Sequence, residues 1–251
     1  IPVTDSTTFM IGSTGKLFTA TAIMQMVEKG RICLDSPITA YIPEFKVKSR
    51  FNSRQITIRD LLTHESGLPC DIPNGQMIGN MKSDGADTMY RSVVSLCENE
   101  FVAYPPRTVF SYSNIGFSLL GIVIKRVSKR SYSEYIQDSI FKKLGMNNSF
   151  VGFDHEKVKT TFSRGYIGKL EEKPLYIRDV PAGSIVSGAA DFSLFVRMLF
   201  AGGSLNNAHI LTKSTLQEMW TPQNTDIPLD FCPVGLGYWL INQTRIPEQI
   251  I

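Results

Sequence analysis

STGKLFTATAIMQMVEKG, residues 13–30, is the stretch on which the fold turns. Leu17, Phe18, Ala20, Ala22, Ile23, Met24, Met26 and Val27 leave it apolar on most faces. The run predicts a helix, and Gly30 supplies the usual glycine stop. A helix apolar nearly all round is buried inside a domain rather than laid on its surface. The polar residues of its first turn then need a reason to be there. Ser13 and Lys16 stand three apart, on one helical face. A serine hydroxyl is a weak nucleophile at its own pKa and needs an adjacent base. A lysine one turn along reaches that hydroxyl. In an apolar interior its ammonium is poorly solvated, so its pKa is expected to fall and neutral amine to become available. The start of the helix also points free N–H groups at any anion forming beside Ser13.

Outward from this stretch the pattern stays helix-rich. Asp35–Pro43 is turn-rich, and ITIRDLL (56–62) suits a strand or a short helix. Residues 68–107 show no periodicity, and their Met-rich part, 77–89, is expected to line a pocket or to form a lid. NIGFSLLGIVIKRVSKR (114–130) predicts a second apolar helix, and residues 132–144 an amphipathic one. Short strands and loops are expected over 150–185, ending in PAGSIVSG. Helices follow at Asp191–Phe200, stopped by Gly202 and Gly203, and at 212–220. GLGYWLI (235–241) has the look of a strand. Without regular βαβ alternation this is an α+β chain, and a doubly wound nucleotide fold is disfavoured.

Composition narrows the function. In 251 residues, 43% hydrophobic and 20% charged is an ordinary globular mix, which excludes a disordered tail or a rod. No apolar run approaches the roughly 18 residues of a membrane span. The net charge of +3 carries two small basic clusters, Lys46/Lys48/Arg50 and Lys125/Arg126/Lys129/Arg130. Both are expected to be solvated faces or helix ends, so no nucleic-acid partner is implied. Cys33, Cys70, Cys97 and Cys232 have no C-x-x-C spacing and are expected to be free thiols. His64, His155 and His209 are scattered, no metal-ligand set emerges, and no cofactor is called for. MIGSTGKL (10–17) fails the P-loop pattern at both Met10 and Leu17. A Ser-His-Asp triad lacks its G-x-S-x-G elbow, so His64 in THESG is expected to be structural.

A second S-x-x-K, Ser139 to Lys142, lies well inside the amphipathic helix, where the lysine should face water. Tyr112-Ser113-Asn114 is the sole Tyr-x-Asn in the chain, and it directly precedes the second apolar helix. A phenol close to a lysine is expected to have its pKa, about 10 when free, lowered. Tyr112 would then pass a proton between Ser13 and a leaving group. The Asn114 amide offers a donor and an acceptor to a substrate amide or to Lys16. The bland alternative makes Tyr112 a loop residue and Asn114 part of a helix cap.

S-x-x-K followed by Y-x-N resembles the serine beta-lactamase and penicillin-binding-protein superfamily, in its class C-like branch. IRDLLTHESGLP is similar to the family's LLTHTSGLP segment, and FSYSNIGFSLLGIVIKRVS to its F-x-Y-S-N-x-G-Y-x-L-L-G segment. YIQDSIFKKLGMNNS, PAGSIVSGAADFSLFVRML and VGLGYWL match further segments in order, so the resemblance covers nearly the whole chain. It implies an antiparallel sheet flanked by helices with a helical lobe, as one domain over 1–251. Ser13 would be the acylated nucleophile, Lys16 its activator, Tyr112 the general base and acid, and Asn114 a substrate-positioning residue. The backbone N–H of Ser13 would be one of two oxyanion donors. The implied activity is a serine hydrolase working through an acyl-enzyme on a beta-lactam, a D-Ala-D-Ala-like peptide or a small ester. The family bias is extracytoplasmic.

The family's third motif, K-T-G or H-x-G, is absent from the 251 residues; Lys159-Thr160-Thr161 comes nearest. The resemblance also places structure before Ser13 and after Ile251, so the chain is expected to be truncated at both ends. An inactive binding, sensor or scaffold protein of the same fold is therefore the alternative.

Overall fold

The computed structural model describes residues 2–71, 92–152, 161–172, 178–224, 227 and 233–241. The Met-rich stretch 77–89, Lys159-Thr160, Cys232 and everything past Ile241 lie outside them.

The first element is a short strand, β1 (Thr8–Met10). A 3-10 turn, Gly12–Gly15, leads into α1 (Lys16–Glu28). Phe18, Ala20, Ala22, Ile23, Met24 and Met26 are all buried, as the all-round apolar pattern requires. Gly30 closes the helix at φ +64°, where a side chain would be strained. ITIRDLL resolves as a helix, α2 (Ile58–Leu62), because Thr57 and Asp60 form a reciprocal capping box. After α3 (Ser92–Cys97) comes α4 (Asn114–Ser128), whose cap is the Ser113 hydroxyl accepting from the Gly116 N–H.

The stretch 132–144 is one continuous helical run. It comprises α5 (Tyr132–Ile136), a π-helical segment Gln137–Phe141, and α6 (Lys142–Leu144). Lys142 faces solvent and pairs with Asp138, which leaves the Ser139 motif without a buried amine. Then follow β2 (Phe150–Val151), the hairpin β3 (Gly165–Ile167) with β4 (Leu170–Glu172), and the short helix α7 (Val180–Gly183). The order continues with β5 (Ile185–Gly188), α8 (Ala189–Phe200), the hairpin β6 (Ser204–Leu205) with β7 (Ala208–His209), and α9 (Lys213–Met219). Both residues of the second hairpin's turn, Asn206 and Asn207, have positive φ, the backbone a tight two-residue hairpin prefers.

β5 is the middle strand of a three-stranded antiparallel sheet ordered β1-β5-β2. Phe9 faces Ser187, and Val151 faces Ile185. This pairing sets the end of α7 beside the turn that opens α1. Helices α1, α4 and α7 pack together. Gly121 of α4 lets Pro181 of α7 close in, leaving no room for a side chain. Polar groups in this core pair with one another: Thr19 donates to the Pro181 carbonyl at 2.7 Å, and Tyr135 donates to Gln25 at 3.1 Å. The architecture is α+β, as expected.

One element differs from its expectation. GLGYWLI is a bent segment held by a single bridge, Val234 to Trp239. Gly237 stands at φ +81° and gives its N–H to Leu62 rather than to a neighbouring strand. The apolar residues of the run suit a strand, but its glycines turn it.

The basic clusters are surface features. Lys46 pairs with Glu98, and Lys48 and Arg50 lie over the Phe101 ring. Arg126 pairs with Glu44 and Arg130 with Asp138. Cys33, Cys70 and Cys97 are free thiols. Among the described residues no helix is long and apolar enough to cross a membrane.

The segment after α2, THESG, is buried throughout. His64 sits in the left-handed region at φ 60° and accepts the Ser113 N–H at Nδ1, 3.0 Å away. Burial, with the positive charge of Lys16, pushes the imidazole down to about 3. Burial likewise pushes the neighbouring Glu65 carboxyl up to about 7. The two linkages have opposite sign. A histidine lowered from 6.5 makes the folded state lose stability as pH falls from 6.5 towards 3, because the unfolded chain binds the extra proton. A glutamate raised from 4.5 makes it lose stability as pH rises from 4.5 to 7.

Between pH 4.5 and 6.5 these slopes oppose each other. Urea denaturation of the native protein should therefore show little pH dependence in that window. Glu65→Gln should uncover a decline on acidification of up to about 1.4 kcal/mol per pH unit. A flat profile in the variant would contradict the neutral, buried state of His64. Separately, Gly121→Ala should cost about 1–3 kcal/mol by overpacking against Pro181, read as a lower urea midpoint.

Candidate active site

Ser13 is the second residue of the 3-10 turn, and Lys16 is the first residue of α1. The sequence places both on one α-helix. Gly12, at φ +56°, instead starts a tighter turn. The spacing still works, because residues three apart eclipse on a 3-10 helix. The Ser13 side chain is exposed, whereas Lys16 is only 4% exposed.

A buried ammonium has three protons to place. The Lys16 Nζ donates to Ser13 Oγ at 3.2 Å, to Asn114 Oδ1 at 2.7 Å and to the Ala182 carbonyl at 2.8 Å. Ala182 belongs to α7 and is delivered by the β1-β5 pairing; Asn114 is the first residue of α4. Burial lowers the lysine to about 8, against the pull of Cys70, Asp179 and Asp71, which raise it. This agrees in direction with the sequence argument.

The Tyr112 hydroxyl donates to Ser13 Oγ at 2.7 Å. Its ring stacks on His64 with centroids 4.4 Å apart, and the Lys16 Nζ lies 4.7 Å from its centroid. The structure therefore gathers Ser13, Lys16, Tyr112 and Asn114 into one hydrogen-bonded cluster.

The expected lowering of the Tyr112 pKa is not found: the phenol is raised. Desolvation by burial is the largest cause, and the hydrogen bond to Ser13 offsets only part of it. The reason is directional. The ammonium sits over the ring face, and its protons go to Ser13, Asn114 and Ala182, so none is aimed at the phenol oxygen. Tyr112 is thus a neutral donor, and Lys16 is the group that sheds its proton more readily.

Asn114 was expected to serve either the substrate or the lysine. Its oxygen serves Lys16, and its Nδ2 donates to Asp71 Oδ1 at 2.9 Å. Asp71, the Ala182 carbonyl and the His64 stacking platform escaped sequence reasoning. The GLPCD run was the available signal for Asp71, since it ends the THESG segment; the carbonyl of Ala182 left no side-chain trace to find. Beyond Tyr112 lie Phe110 and Trp239. Trp239 is 48% exposed and meets the Tyr112 ring edge-on at 6.2 Å. Phe110 and Trp239 are themselves 6.3 Å apart. They form an apolar ledge beside Tyr112. Among the described residues no group of three His, Cys, Asp or Glu side chains is placed to hold a metal ion.

Known proteins resemble this chain in sequence and in fold. A penicillin-binding protein 4 of Amycolatopsis lactamdurans is 28% identical over 206 residues, covering 79% of this chain and 52% of that protein. The octameric penicillin-binding protein homologue from Pyrococcus abyssi superposes with a TM-score of 0.72 at 30% identity, over 94% of this chain and 54% of that one. A beta-lactamase/D-alanine carboxypeptidase from Yersinia pestis complexed with citrate shares the fold, with a TM-score of 0.73 at 22% identity, over 95% of this chain and 68% of that one. The chain thus spans about half the length of the curated relative. The family described as Beta-lactamase matches residues 1–248, and the chain belongs to that family.

Proposed function

We propose that this chain is a serine hydrolase of the acyl-enzyme type, with Ser13 as nucleophile. The observation that carries the reading is an exposed serine oxygen that receives a lysine Nζ at 3.2 Å and a phenol at 2.7 Å. Neutral Lys16 takes the Ser13 proton as Oγ attacks a carbonyl carbon. The negative charge passes to the carbonyl oxygen, beside the Ser13 N–H, where the opening turn leaves N–H groups without intrahelical partners. The bond to the leaving group then breaks, and that group takes its proton from the Tyr112 hydroxyl, which is replenished from Lys16. Water repeats the sequence on the acyl-serine and frees the acid. Membership of the family supports a carbonyl substrate of the beta-lactam, D-Ala-D-Ala-like peptide or small ester class. The raised phenol supports Lys16 rather than Tyr112 as the first base.

A fluorescent penicillin or a fluorophosphonate should label the protein covalently, and Ser13→Ala should abolish the labelling. Labelling that survives this change ends the proposal, and a native protein inert to every acyl donor favours a binding or scaffold role. The labelling rate should rise with pH through about 8, because the neutral amine forms above the lysine pKa. Tyr112→Phe should slow labelling by about 10²-fold or more and leave this ascending limb in place. A limb that vanishes with Tyr112 would reverse the two roles.

A further inference from the structure

We propose that Asp71 is a positioning residue of this site: its carboxylate locks the Asn114 amide in the one orientation that holds the Lys16 amine against Ser13. The inference rests on the reading above and adds to it a residue outside the S-x-x-K and Y-x-N motifs.

A side-chain amide has an acceptor end and a donor end, and a half-turn exchanges them. Facing Lys16, only the oxygen is tolerable, since an ammonium is purely a donor. Facing Asp71, only the nitrogen is tolerable, since a carboxylate is purely an acceptor. Asn114 meets both demands, with Oδ1 2.7 Å from Lys16 Nζ and Nδ2 2.9 Å from Asp71 Oδ1. The flipped amide would set its NH2 against the ammonium and its oxygen against the carboxylate. It would lose two charge-assisted hydrogen bonds, the stronger kind.

Asp71 is itself held in place. Its Oδ2 accepts from the Cys70 thiol at 3.1 Å, and the Cys70 carbonyl accepts the Asn114 N–H at 2.9 Å. The segment carrying the carboxylate is thereby pinned to the first residue of α4. Burial and Asp71 push the Cys70 thiol up to about 11, so at neutral pH it remains a donor.

The same carboxylate is an anion one amide away from the amine. The titratable groups around Lys16 are Asp71 and Cys70 after α2, His64 behind Tyr112, Tyr112 itself, and Asp179 ahead of α7. With Cys70 protonated, Asp71 and Asp179 are the two anions that resist the loss of the lysine's proton. Asp179, tied to Ser118 and Arg178, raises the lysine more than Asp71 does; Asp71 is the one of the two that is joined to the amine through Asn114.

The test compares the native protein with Asp71→Asn and Asp71→Ala by two readouts. One is the titration of Lys16 followed by NMR of labelled lysine. The other is the pH profile of Ser13 labelling by a fluorophosphonate. In Asp71→Asn the new amide oxygen still accepts from Asn114. Its labelling plateau should stay within about three-fold of native, while the Lys16 midpoint and the ascending limb move to lower pH by about half a unit or more. In Asp71→Ala the limb should move likewise, and the plateau should fall by about ten-fold or more, because the amide is free to turn. An unmoved Lys16 midpoint in Asp71→Asn overturns the proposal, as does an Asp71→Ala plateau within about three-fold of native. The NMR titration needs no turnover. If no acyl donor labels the native protein, the hydrolase reading fails while the Lys16 midpoint still decides the role of Asp71. Should Asp71→Ala not fold, the Asp71→Asn titration decides alone.

Discussion

The ammonium of Lys16 is the constraint around which the rest of the molecule is arranged. Taking such a charge out of water costs several kcal/mol unless its protons find acceptors. Here the acceptors come from a 3-10 turn, from the first residue of α4 and from the end of α7. Each helix has to arrive at one point with one atom forward. Gly121 lets α4 and α7 close on each other, and the β1-β5 pairing sets α7 beside the turn that opens α1. Were any of these placements lost, the buried amine would be short of one acceptor.

The neutral state of His64 belongs to the same arrangement. Its imidazole supports the Tyr112 ring at 4.4 Å and anchors the Ser113 N–H, so the phenol and the start of α4 are fixed by one buried side chain. A charged imidazole there would sit beside a charged lysine. Burial prevents this by keeping the ring neutral, and the adjoining Glu65 carboxyl is pressed towards its own neutral form by the same dry surroundings.

Much of this was legible in the sequence, and the reasons are local. The all-round apolar run of α1, the glycine at its end and the three-residue spacing of Ser13 and Lys16 are properties of neighbouring residues, and periodicity reports them. Tyr112 and Asn114 were legible as a motif at the start of an apolar helix. What the sequence could not carry was direction. Proximity of a lysine to a phenol suggested a lowered pKa; the lysine turned out to lie over the ring, and burial prevailed. GLGYWLI looked like a strand because its apolar residues suit one, yet Gly237 bends it into α1 and α2 contacts far away in sequence. Asp71 and the Ala182 carbonyl act through long-range hydrogen bonds that leave no local pattern.

The bonds of Lys16 also set an order in time. Asn114 lies 98 residues beyond it and Ala182 lies 166 residues beyond it. A ribosome adding about 5–20 residues per second needs on the order of ten to thirty seconds to supply the last of these partners. Until then the serine and its amine trail from the nascent chain as an ordinary, hydrated pair. The hydrogen-bonded cluster is therefore absent during synthesis and arrives only with the finished tertiary structure.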